Sequence, residues 1–489
     1  MKLDKTTPYF IGLDLGTTST KVIAFDQRGN TLVTTGVAYP TFYPAVNYAV
    51  QKPDTIWEAV RASVSRVLET VDENYTLAGV GMSSAMHTLL PIDEDGNPLT
   101  DLMIWSDNRA CEVIEKVLEE EGDIFYDTVG VPLHPMTPFA KLLWASENKV
   151  AWGQNAKMFI GIKEWILQKI TGVYEMDYSI ASATGMFDIH QNQWHDSCLK
   201  RANICHTQLP TLVDTLSVRN CINDELFPIG TPIVIGASDG CLANLGAGAF
   251  RDGTIAVTLG TSAAARAVVS KPVLDPNRST FCYYLAPNHY VVGGGSNSGG
   301  IVIEWFVKNF ADNNYGTFYE WIDSVTAGAE GILCLPYLQG ERAPVWNSSA
   351  QGIFHGLTMH HSRRHLAKAV MESILLNIKQ IIETIGTLQQ KSFKSVKVGG
   401  GSAVSPIVLQ LLSDVLGINV HITHTSEHSA WGGAVMAMWA LGYVKDFEHL
   451  SAHPPVIIFA PQIEDKTFYN KQLERFKELY QRTKDMSPP

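Results

Sequence analysis

Short apolar runs separated by turn residues recur along the chain and indicate strands. Residues 9–15 and 21–26 are rich in Ile, Val and Phe, and the Gly-Thr-Thr-Ser-Thr segment at 16–20 is typical of a hairpin turn. A third strand is predicted over residues 31–39, after the Arg-Gly-Asn turn at 28–30. The amino-terminal segment is therefore expected to be an antiparallel three-stranded unit.

Helical spacing follows these strands and then alternates with further strands. Pro53 and Asp54 open a predicted helix that carries apolar residues on one face, namely Trp57, Val60, Val64, Val67 and Leu68. Further strands are predicted at 77–82, 231–235 and 395–398, a long helix at 363–388, and a helix from Ser405-Pro406 to Gly417. This alternation predicts an α/β protein.

An internal repeat divides the chain into two halves. Residues 11–26 align without gaps on residues 255–270, an offset of 244, and both copies place Leu-Gly-Thr between two apolar strands. Gly-Thr turns are common, but an offset of almost half the chain favours duplication of a whole domain. We therefore predict one domain over residues 1–245 and a second over residues 246–489, with the boundary near the Gly-rich run 246–253.

Composition narrows the possible partners. The chain has 489 residues, enough for two to four domains, with 37 basic and 49 acidic side chains and a net charge of −12. A nucleic-acid partner is not expected, since phosphate neutralisation needs surplus Lys and Arg. The first seven residues are polar and no apolar run is long enough to span a membrane, so neither a signal segment nor a membrane partner is expected. Seven cysteines without a Cys-x-x-Cys pair predict reduced thiols and a cytoplasmic location.

Asp14 lies at the end of the first predicted strand and is followed by a glycine and a run of hydroxyl residues, including Thr17, Thr18 and Ser19. Such a turn directs backbone N–H groups and hydroxyls at an anion, while the carboxylate can hold hydrated Mg²⁺. A hairpin with hydroxyls on its exposed edge is the simpler alternative. The partial copy at residues 260–262 favours two loops that hold phosphates from opposite sides.

Two other nucleotide-binding motifs are absent. No Gly-Lys dipeptide occurs anywhere in the chain, which excludes a Walker A loop. The Gly-rich segment 292–300 never has the spacing G-x-G-x-x-G, so a Rossmann site is excluded as well.

The segment Gly-Ala-Ser-Asp-Gly at 236–240 supports rival interpretations. It fits G-x-S-x-G, in which Ser238 would be a hydrolase nucleophile after a strand. Alternatively, Asp239 is a carboxylate at a strand end that takes a proton from a substrate hydroxyl. A plain glycine turn ranks above the hydrolase. Because a hydrolase leaves both phosphate-like turns unexplained, Asp239 is preferred.

Polar residues cluster after the strand at 77–82 and again at 105–109. The cluster offers an aromatic face, a carboxylate, an imidazole and a guanidinium, which suit a polyhydroxylated ligand with an anionic group. Singly, each could be an ordinary turn or surface residue. The candidate substrate-binding residues are Ser84, Met86, His87, Trp105, Asp107, Arg109 and Asp239.

Together these motifs resemble the FGGY family of carbohydrate kinases. The similarity rests on residues 14–21, 236–240, 259–262 and 399–406 and on two longer segments, 136–144 and 352–372. Ala145 departs from the first of those longer patterns, where a larger apolar residue is usual. The resemblance extends from about residue 9 to residue 445.

The resemblance implies two duplicated ribonuclease-H/actin-like domains that hold ATP and a sugar in the cleft between them. Asp239 would be the catalytic base, and Asp14 and Asp239 would hold Mg²⁺. Thr17, Thr18, Gly260 and Thr261 would line the phosphates, and Gly399, Gly400, Gly401, Ser402 and Ser405 would lie near the adenosine. The other implied cofactor-binding residues are Ser19, Lys21, Ser262, Asn297 and Gly300.

Within the family, residues 83–88 and 105–109 are most similar to the members that phosphorylate gluconate. Members that phosphorylate xylulose are the alternative, although they usually have Gly where this chain has Thr88. A non-catalytic sugar-binding regulator is a third interpretation, which the presence of both Asp14 and Asp239 disfavours. The expected partners are therefore ATP and a small sugar or sugar acid, and a homodimer is the assembly to test.

Overall fold

The structure, a computed structural model, describes residues 7–400, 405–422, 427–449, 456–462 and 467–486. Its elements fall into two sets of strands and helices. The strands of the first set are β1 (Thr7–Leu15), β2 (Ser19–Asp26), β3 (Thr31–Ala38), β4 (Val50–Gln51), β5 (Tyr75–Ser84), β6 (Leu90–Ile92), β7 (Leu102–Met103), β8 (Met158–Ile160), β9 (Glu175–Asp177), β10 (Phe187–Asp188), β11 (Gln193–Trp194), β12 (Thr211–Val213), β13 (Val218–Asn220) and β14 (Pro232–Ser238).

The helices between these strands include α1, whose formation the sequence explains. Pro53 occupies the first turn, where its missing N–H costs nothing, and Ile56, Val60, Val64 and Val67 bury one face. The helices of this set are α1 (Pro53–Thr70), α2 (Cys111–Glu120), α3 (Tyr126–Val129), α4 (Pro138–Glu147), α5 (Ala151–Asn155), α6 (Ile162–Thr171), α7 (Tyr178–Ser182), α8 (Asp196–Arg201) and α9 (Asp239–Gly246).

The main sheet of the first set has the strand order β13-β14-β5-β1-β2-β3. Strands β1, β2 and β3 are antiparallel neighbours, as the sequence predicts, whereas β5 runs parallel to β1 and β14 runs parallel to β5. The carboxyl ends of β1, β5 and β14 therefore meet at one edge of the sheet. In open α/β sheets this edge is where ligands bind.

The second set repeats this arrangement. Its strands are β15 (Thr254–Leu259), β16 (Ala263–Val269), β17 (Phe281–Ala286), β18 (His289–Ser296), β19 (Leu333–Leu335), β20 (Ile353–His355), β21 (Ser395–Gly399), β22 (Asn419–Ile422) and β23 (Ile457–Phe459). Its helices are α10 (Gly300–Phe310), α11 (Tyr315–Ser324), α12 (Arg363–Gln389), α13 (Pro406–Leu416), α14 (His428–Ala440) and α15 (Phe468–Thr483).

The second large sheet has the order β17-β18-β16-β15-β21-β22-β23. Its antiparallel hairpin β15–β16 corresponds to β1–β2 of the first sheet. Strand β21 runs parallel to β15 and β22 runs parallel to β21, just as β5 runs parallel to β1 and β14 to β5. The α/β fold of two duplicated domains is thus confirmed. The boundary between residues 245 and 246 stays a prediction.

Helix α14 joins the two halves, because it comes from the second but packs on the sheet of the first. A Cβ atom built at Gly81 would lie 1.9 Å from the carbonyl oxygen of Gly433, and one at Gly12 would lie 2.0 Å from that of Ala430. Only glycine permits this approach of helix to strands. Helix α9 crosses α14 equally closely, since a Cβ at Gly246 would lie 2.0 Å from the carbonyl oxygen of His428.

Two further observations concern expectations from composition. Among the described helices, none combines the length and apolar character that crossing a bilayer requires. All seven cysteines lie in described segments, and none of them forms a disulfide.

Candidate active site

Five polar residues meet at the shared edge of the first sheet. Asp14 near the end of β1 is the register partner of Ser83 on β5, and Ser238 at the end of β14 lies beside Ser84. The Ser83 hydroxyl donates to Asp14 Oδ1 at 2.7 Å. Since β14 ends at Ser238, Asp239 begins helix α9 at this same edge.

Asp14 experiences the negative charge of Asp239. Burial raises the pKa of Asp14 to about 7, the hydrogen bond from Ser83 opposes this shift, and the charge of Asp239 adds to it. Two carboxylates that repel each other at a cleft edge form a site that a divalent cation would stabilise.

Asp239 is held at the amino terminus of α9. Its Oδ1 accepts a hydrogen bond from the Gly240 N–H at 2.7 Å. Burial raises its pKa, and the nearby guanidinium of Arg266 lowers it. A carboxylate at this position can accept a proton from a substrate hydroxyl.

The neighbouring Ser238 has a structural role in this arrangement. Its side chain is fully buried and its Oγ lies 3.1 Å from the Oγ of Ser179. No histidine among the described residues forms a hydrogen bond with it. The geometry therefore gives no support to a hydrolase nucleophile at Ser238.

The turn of the second hairpin is tied to the start of helix α10. Gly260 N–H donates to the carbonyl of Ser262 at 2.9 Å, while Gly300 and Ile301 donate to Gly260 and Thr261 at 2.7 and 3.0 Å. These bonds hold the turn at the amino terminus of α10, where the helix dipole favours an anion. Gly260, Thr261, Ser262 and Gly300, all named from the sequence, are thereby brought together.

The turn of the first hairpin is built in a similar way. Gly16 N–H donates to the Ser19 carbonyl at 3.1 Å, and the Gln51 side chain donates to the Thr17 carbonyl at 2.6 Å. Thr18 is exposed at the tip of the turn. Thr17 and Ser19 are half-buried, and contact of this turn with a phosphate stays a prediction.

Lys21 follows the first turn and already has a partner. Its Nζ lies 2.6 Å from Oε2 of Glu427, the residue directly before helix α14. This ion pair connects the first hairpin with the second half of the chain. Contact of Lys21 with a phosphate stays a prediction.

The segment expected near adenosine is described in part. Gly399 ends β21, and Gly400 follows with φ of +100°, where a Cβ atom would lie 2.4 Å from the Leu259 carbonyl oxygen. Ser405 is buried at the start of α13. Gly401 and Ser402 lie outside the described residues.

A cavity of about 830 Å³ opens between the two halves. Trp105 and His134 line it from the first half, and Thr261, Asn297 and Arg342 line it from the second. The Arg342 guanidinium lies over the Trp105 ring, with 5.0 Å between Cζ and the ring centroid. The substrate-side and phosphate-side residues therefore share one cleft.

His87 is a buried, neutral imidazole between the two halves of the chain. Its φ is +65°, its Nδ1 lies 2.8 Å from the Ala183 carbonyl, and its Nε2 lies 3.4 Å from the Tyr283 hydroxyl. Burial holds its pKa well below the ordinary value, and the charges of Lys141 and Arg342 act in the same direction. The Nδ1–H therefore donates to Ala183, which leaves Nε2 as an acceptor.

Lys141 organises the loops around His87. Its Nζ donates to the carbonyls of His87, Ile104 and Met136 at 2.8, 2.8 and 2.9 Å. Burial lowers its pKa to about 7. The sequence placed this lysine in the motif at residues 136–144 without a role, and the structure shows that it clamps three loops of the substrate side.

Arg109 and Asp107 bind each other. Arg109 Nε donates to Asp107 Oδ1 and Nη2 to Oδ2, each at 2.7 Å, and the Ala49 N–H donates to Oδ2 at 2.8 Å. The guanidinium also lies 4.0 Å from the ring centroid of Tyr48. This geometry counts against the expectation that Arg109 binds an anionic group of the substrate.

Ser84 and Met86 occupy different environments. Ser84 is buried, and its hydroxyl donates to the Ala85 carbonyl at 3.3 Å. The Met86 methyl group lies 2.9 Å from the position of a Cβ atom at Gly240, beside Asp239. Met86 therefore lies beside the candidate base Asp239. The hydroxyl that binds Asp14 belongs to Ser83 and not to Ser84.

Sequence reasoning did not identify Arg266, Tyr283 or Arg342 as site residues. A signal for Arg266 was present in the repeat, because it stands where the first copy has the buried Val22. For Tyr283 and Arg342 the local sequence held no comparable signal.

Carboxylates at strand ends, two glycine turns and a cleft between duplicated domains suit the transfer of a phosphoryl group to a small molecule. Residues 9–246 match the N-terminal domain, and residues 255–441 the C-terminal domain, of the FGGY family of carbohydrate kinases. The chain belongs to this family and is a carbohydrate kinase. ATP as phosphate donor follows from the family.

Individual relatives agree with this assignment. The chain is 35% identical over 462 residues to a gluconokinase of Bacillus subtilis, covering 91% of this chain and 90% of that protein. A gluconate kinase structure from Lactobacillus acidophilus matches with a TM-score of 0.92 and 29% identity, covering 98% of each chain. A ligand-bound xylulose kinase structure from Lactobacillus acidophilus matches with a TM-score of 0.93 and 30% identity, covering 98% of this chain and 99% of that one.

Proposed function

We propose that the protein transfers the terminal phosphoryl group of ATP to O6 of D-gluconate, with Asp239 as the base and Mg²⁺ as the metal. The observation that carries this proposal is the position of Asp239, which lies at the carboxyl edge of the parallel strands beside Asp14. Similarity to proteins named gluconokinase supports the choice of substrate.

Catalysis in this cleft is mainly a matter of positioning. Phosphoryl transfer has a loose transition state, so the protein needs to align donor and acceptor and to stabilise oxyanion charge. In this proposal the turns at 17–19 and 260–262 would direct N–H groups and hydroxyls at the phosphates from opposite sides. Asp239 accepts the hydroxyl proton, and it does so late because a sugar hydroxyl is far less acidic than a carboxylic acid.

The residues present fit a magnesium ion. Among the described residues, no group of three or more His, Cys, Asp or Glu side chains could form an all-protein metal cage. One or two carboxylates, completed by water and phosphate oxygens, are the usual protein contribution to a Mg²⁺ site. Asp14, with Asp239 beside it, would hold the ion, which would neutralise charge on the phosphate oxygens.

The proposed nucleotide site extends from the two turns to the adenosine end. Lys21 and Asn297 would contact phosphates, and Gly399, Gly400 and Ser405 would lie near the adenosine, with Gly401 and Ser402 between them in sequence. Substrate binding is proposed to close the cleft about the crossing of α9 and α14. Small-angle scattering with and without both ligands tests this closure, which an unchanged radius of gyration would contradict.

Xylulose phosphorylation is the second candidate function. The observation that favours it is the similarity to a ligand-bound xylulose kinase structure, at 30% identity over nearly the whole chain. A xylulose acceptor is neutral, whereas gluconate carries a carboxylate. The charge of the acceptor therefore separates the two candidates.

A panel assay decides between these functions. ATP consumption is measured with D-gluconate, D-xylulose, glycerol and related polyols, and the position of the product phosphate is determined by NMR. The proposal expects the highest kcat/KM with gluconate and phosphate on O6. Turnover of xylulose but not gluconate would establish the second candidate, and binding without turnover of any acceptor would indicate a non-catalytic regulator.

Two further proposals accompany this function. A cytoplasmic location is proposed because ATP is the phosphate donor. A homodimer is proposed as the assembly, and size-exclusion chromatography with light scattering measures whether the mass in solution is one or two times 53.8 kDa.

A further inference from the structure

Two arginines of the second half lie on one face of its sheet, above glycines. A Cβ atom at Gly293 would lie 2.9 Å from Cγ of Arg266, and one at Gly295 would lie 3.1 Å from Nη1 of Arg342. Gly293 and Gly295 are two residues apart on β18, so they face the same side of the sheet. Because neither glycine has a side chain, the aliphatic stem of Arg266 occupies the space over Gly293 and the guanidinium of Arg342 occupies the space over Gly295.

Two aromatic residues complete this face. Phe281 is the register partner of Gly293, and Tyr283, two residues further along β17, stacks on it with ring centroids 4.2 Å apart. The Tyr283 hydroxyl approaches Nε2 of His87 in the first half, at 3.4 Å. This face of the second sheet therefore forms a wall that faces the predicted substrate residue His87.

The Arg266 side chain has few hydrogen-bond partners in this wall. Among the described residues its one side-chain hydrogen bond is from Nη1 to the Thr258 hydroxyl, at 3.4 Å, and its buried Nε has no partner. Nε and Nη2 each lie 3.2 Å from the position that a Cβ atom would take at Gly240. These two nitrogens form the edge that binds a carboxylate in bidentate fashion.

The Nε/Nη2 edge faces Gly240, the residue after Asp239, which has no side chain to cover it. It forms no ion pair with Asp239 in the described structure, although Arg266 is near enough to lower the pKa of that carboxyl. Arg266 also lies four residues beyond Ser262, or about 13 Å along the strand from the proposed phosphate-binding turn. An anion at this edge is therefore more naturally part of the acceptor than of the nucleotide.

Arg342 adds positive charge next to Arg266. Its Nε donates to Asn297 Oδ1 at 2.8 Å and its Nη2 to the Ser296 carbonyl at 3.2 Å, while Nη1 has no hydrogen-bond partner among the described residues. Burial lowers the pKa of Arg342, the charge of Glu341 opposes this shift, and the positive charge of Arg266 adds to it. The charges of Asp239 and Glu341 act on these arginines, but neither guanidinium forms an ion pair with a carboxylate among the described residues, so this wall can receive an anion.

We infer that the Nε/Nη2 edge of Arg266, next to the charge of Arg342, is the subsite that binds the carboxylate of a sugar-acid acceptor. This inference rests on the proposed function, because it assigns the acceptor's charged end to a residue of the second half. It replaces Arg109, whose guanidinium is already bound to Asp107.

Binding of D-gluconate and of its amide tests the subsite directly. The two molecules differ only in the charged oxygen, and calorimetry measures their affinities without turnover. The wild-type protein is expected to prefer gluconate, and Arg266→Gln to reduce this preference by about 10- to 100-fold. Arg266→Lys keeps the positive charge but loses the paired N–H groups of the guanidinium, so it is expected to retain part of the preference for gluconate. Arg61→Gln on the exposed face of α1 is the control for net charge.

The outcomes separate this inference from the proposed function. Equal affinity of the wild-type protein for acid and amide, or an unchanged preference in Arg266→Gln, would overturn the subsite even if gluconate is phosphorylated. A preference lost only in Arg342→Gln would also overturn it. If the wild-type prefers the acid in binding and phosphorylates neither compound, the subsite stands and the proposed function fails. ATP affinity, measured on each variant, shows that the protein is folded.

Discussion

The carboxylate of Asp107 binds the guanidinium of Arg109 through both oxygens, at 2.7 Å each, although the residues are only two apart. Asp107 is fully buried, and the side chain of Arg109 is 7% exposed. Two short hydrogen bonds hold this buried pair together, and removal of one partner leaves an uncompensated buried charge. The pair therefore supports the loop that carries Trp105.

Replacement of one partner should destabilise the fold. We expect Asp107→Asn to lower the free energy of unfolding by about 3–5 kcal/mol, because Arg109 would remain buried without its counterion. Urea denaturation measures this change. Asp101→Asn is the matched control, since its pair with Lys52 is exposed and should contribute less than about 1 kcal/mol. A small effect at both positions would show that Arg109 finds another partner.

Asp239→Asn tests the proposed base. An amide cannot accept the hydroxyl proton, so kcat should fall by about 10²- to 10⁴-fold while gluconate binding stays measurable by calorimetry. Asp252→Asn, at an exposed pair with Lys391, should retain activity. Near-normal turnover of Asp239→Asn would remove this residue as the base.

Lys21→Met tests contact with the nucleotide. Lys21 is expected to exchange Glu427 for a phosphate oxygen when ATP binds, so the variant should raise the KM for ATP by about tenfold or more and leave the KM for gluconate unchanged. Steady-state kinetics with each substrate varied measures both constants. Lys52→Met removes an exposed charge as a control. An unchanged KM for ATP would show that Lys21 does not contact the nucleotide and serves only in its ion pair with Glu427.

Gly81→Ala tests the contact of β5 with helix α14. The new Cβ atom would lie 1.9 Å from the Gly433 carbonyl oxygen, so the helix must move, at a cost of about 3 kcal/mol or more. Thermal denaturation measures the loss. Gly316→Ala in α11 is the control, because its Cβ would meet only the Asn314 side chain, at 3.1 Å. Equal stability of both variants would contradict this close packing.

His134 predicts how stability depends on pH. Burial lowers its pKa from 6.5 to about 3, and the charges of Arg342 and Lys141 act in the same direction. In the unfolded chain His134 therefore takes up a proton below pH 6.5, whereas in the folded chain it stays neutral down to about pH 3. The stability that this group contributes is present above pH 6.5 and is lost as the pH falls, by about 2 kcal/mol at pH 5.

His134→Asn isolates this contribution. The Asn oxygen can replace Nδ1 as the acceptor for the Met136 N–H, a contact of 3.1 Å, but it does not titrate. Urea denaturation at pH 7.5 and pH 5 should show that the variant loses about 2 kcal/mol less than the wild-type protein. Equal losses would mean that His134 is protonated in the folded state.

Much of the fold could be predicted from local patterns. The strands β1, β2 and β3, helix α1 and the long helix α12 lie where apolar periodicity and turn residues placed them. The duplication was visible because two hairpins share Leu-Gly-Thr at an offset of 244. These features depend on residues close together in the chain, which is why sequence reasoning finds them.

The partner of each charged side chain could not be predicted in this way. The sequence does not distinguish Arg109 from Arg266. In the structure Asp107 binds the guanidinium of Arg109, whereas Nε of Arg266 has no hydrogen-bond partner among the described residues. Nor does any local pattern show that α14 crosses to the first sheet, a contact that depends on glycines at 12, 81 and 433.

The sequence by itself therefore determined the class of fold, the duplicated halves and the strand-end carboxylates Asp14 and Asp239. Strand periodicity and turn chemistry are local, and parallel strands bring their carboxyl ends together by geometry alone. Only the tertiary structure decided which cations are bound and which remain available to a substrate. That difference arises from burial and from hydrogen bonds between residues up to hundreds of positions apart, as in the pairing of Lys21 with Glu427.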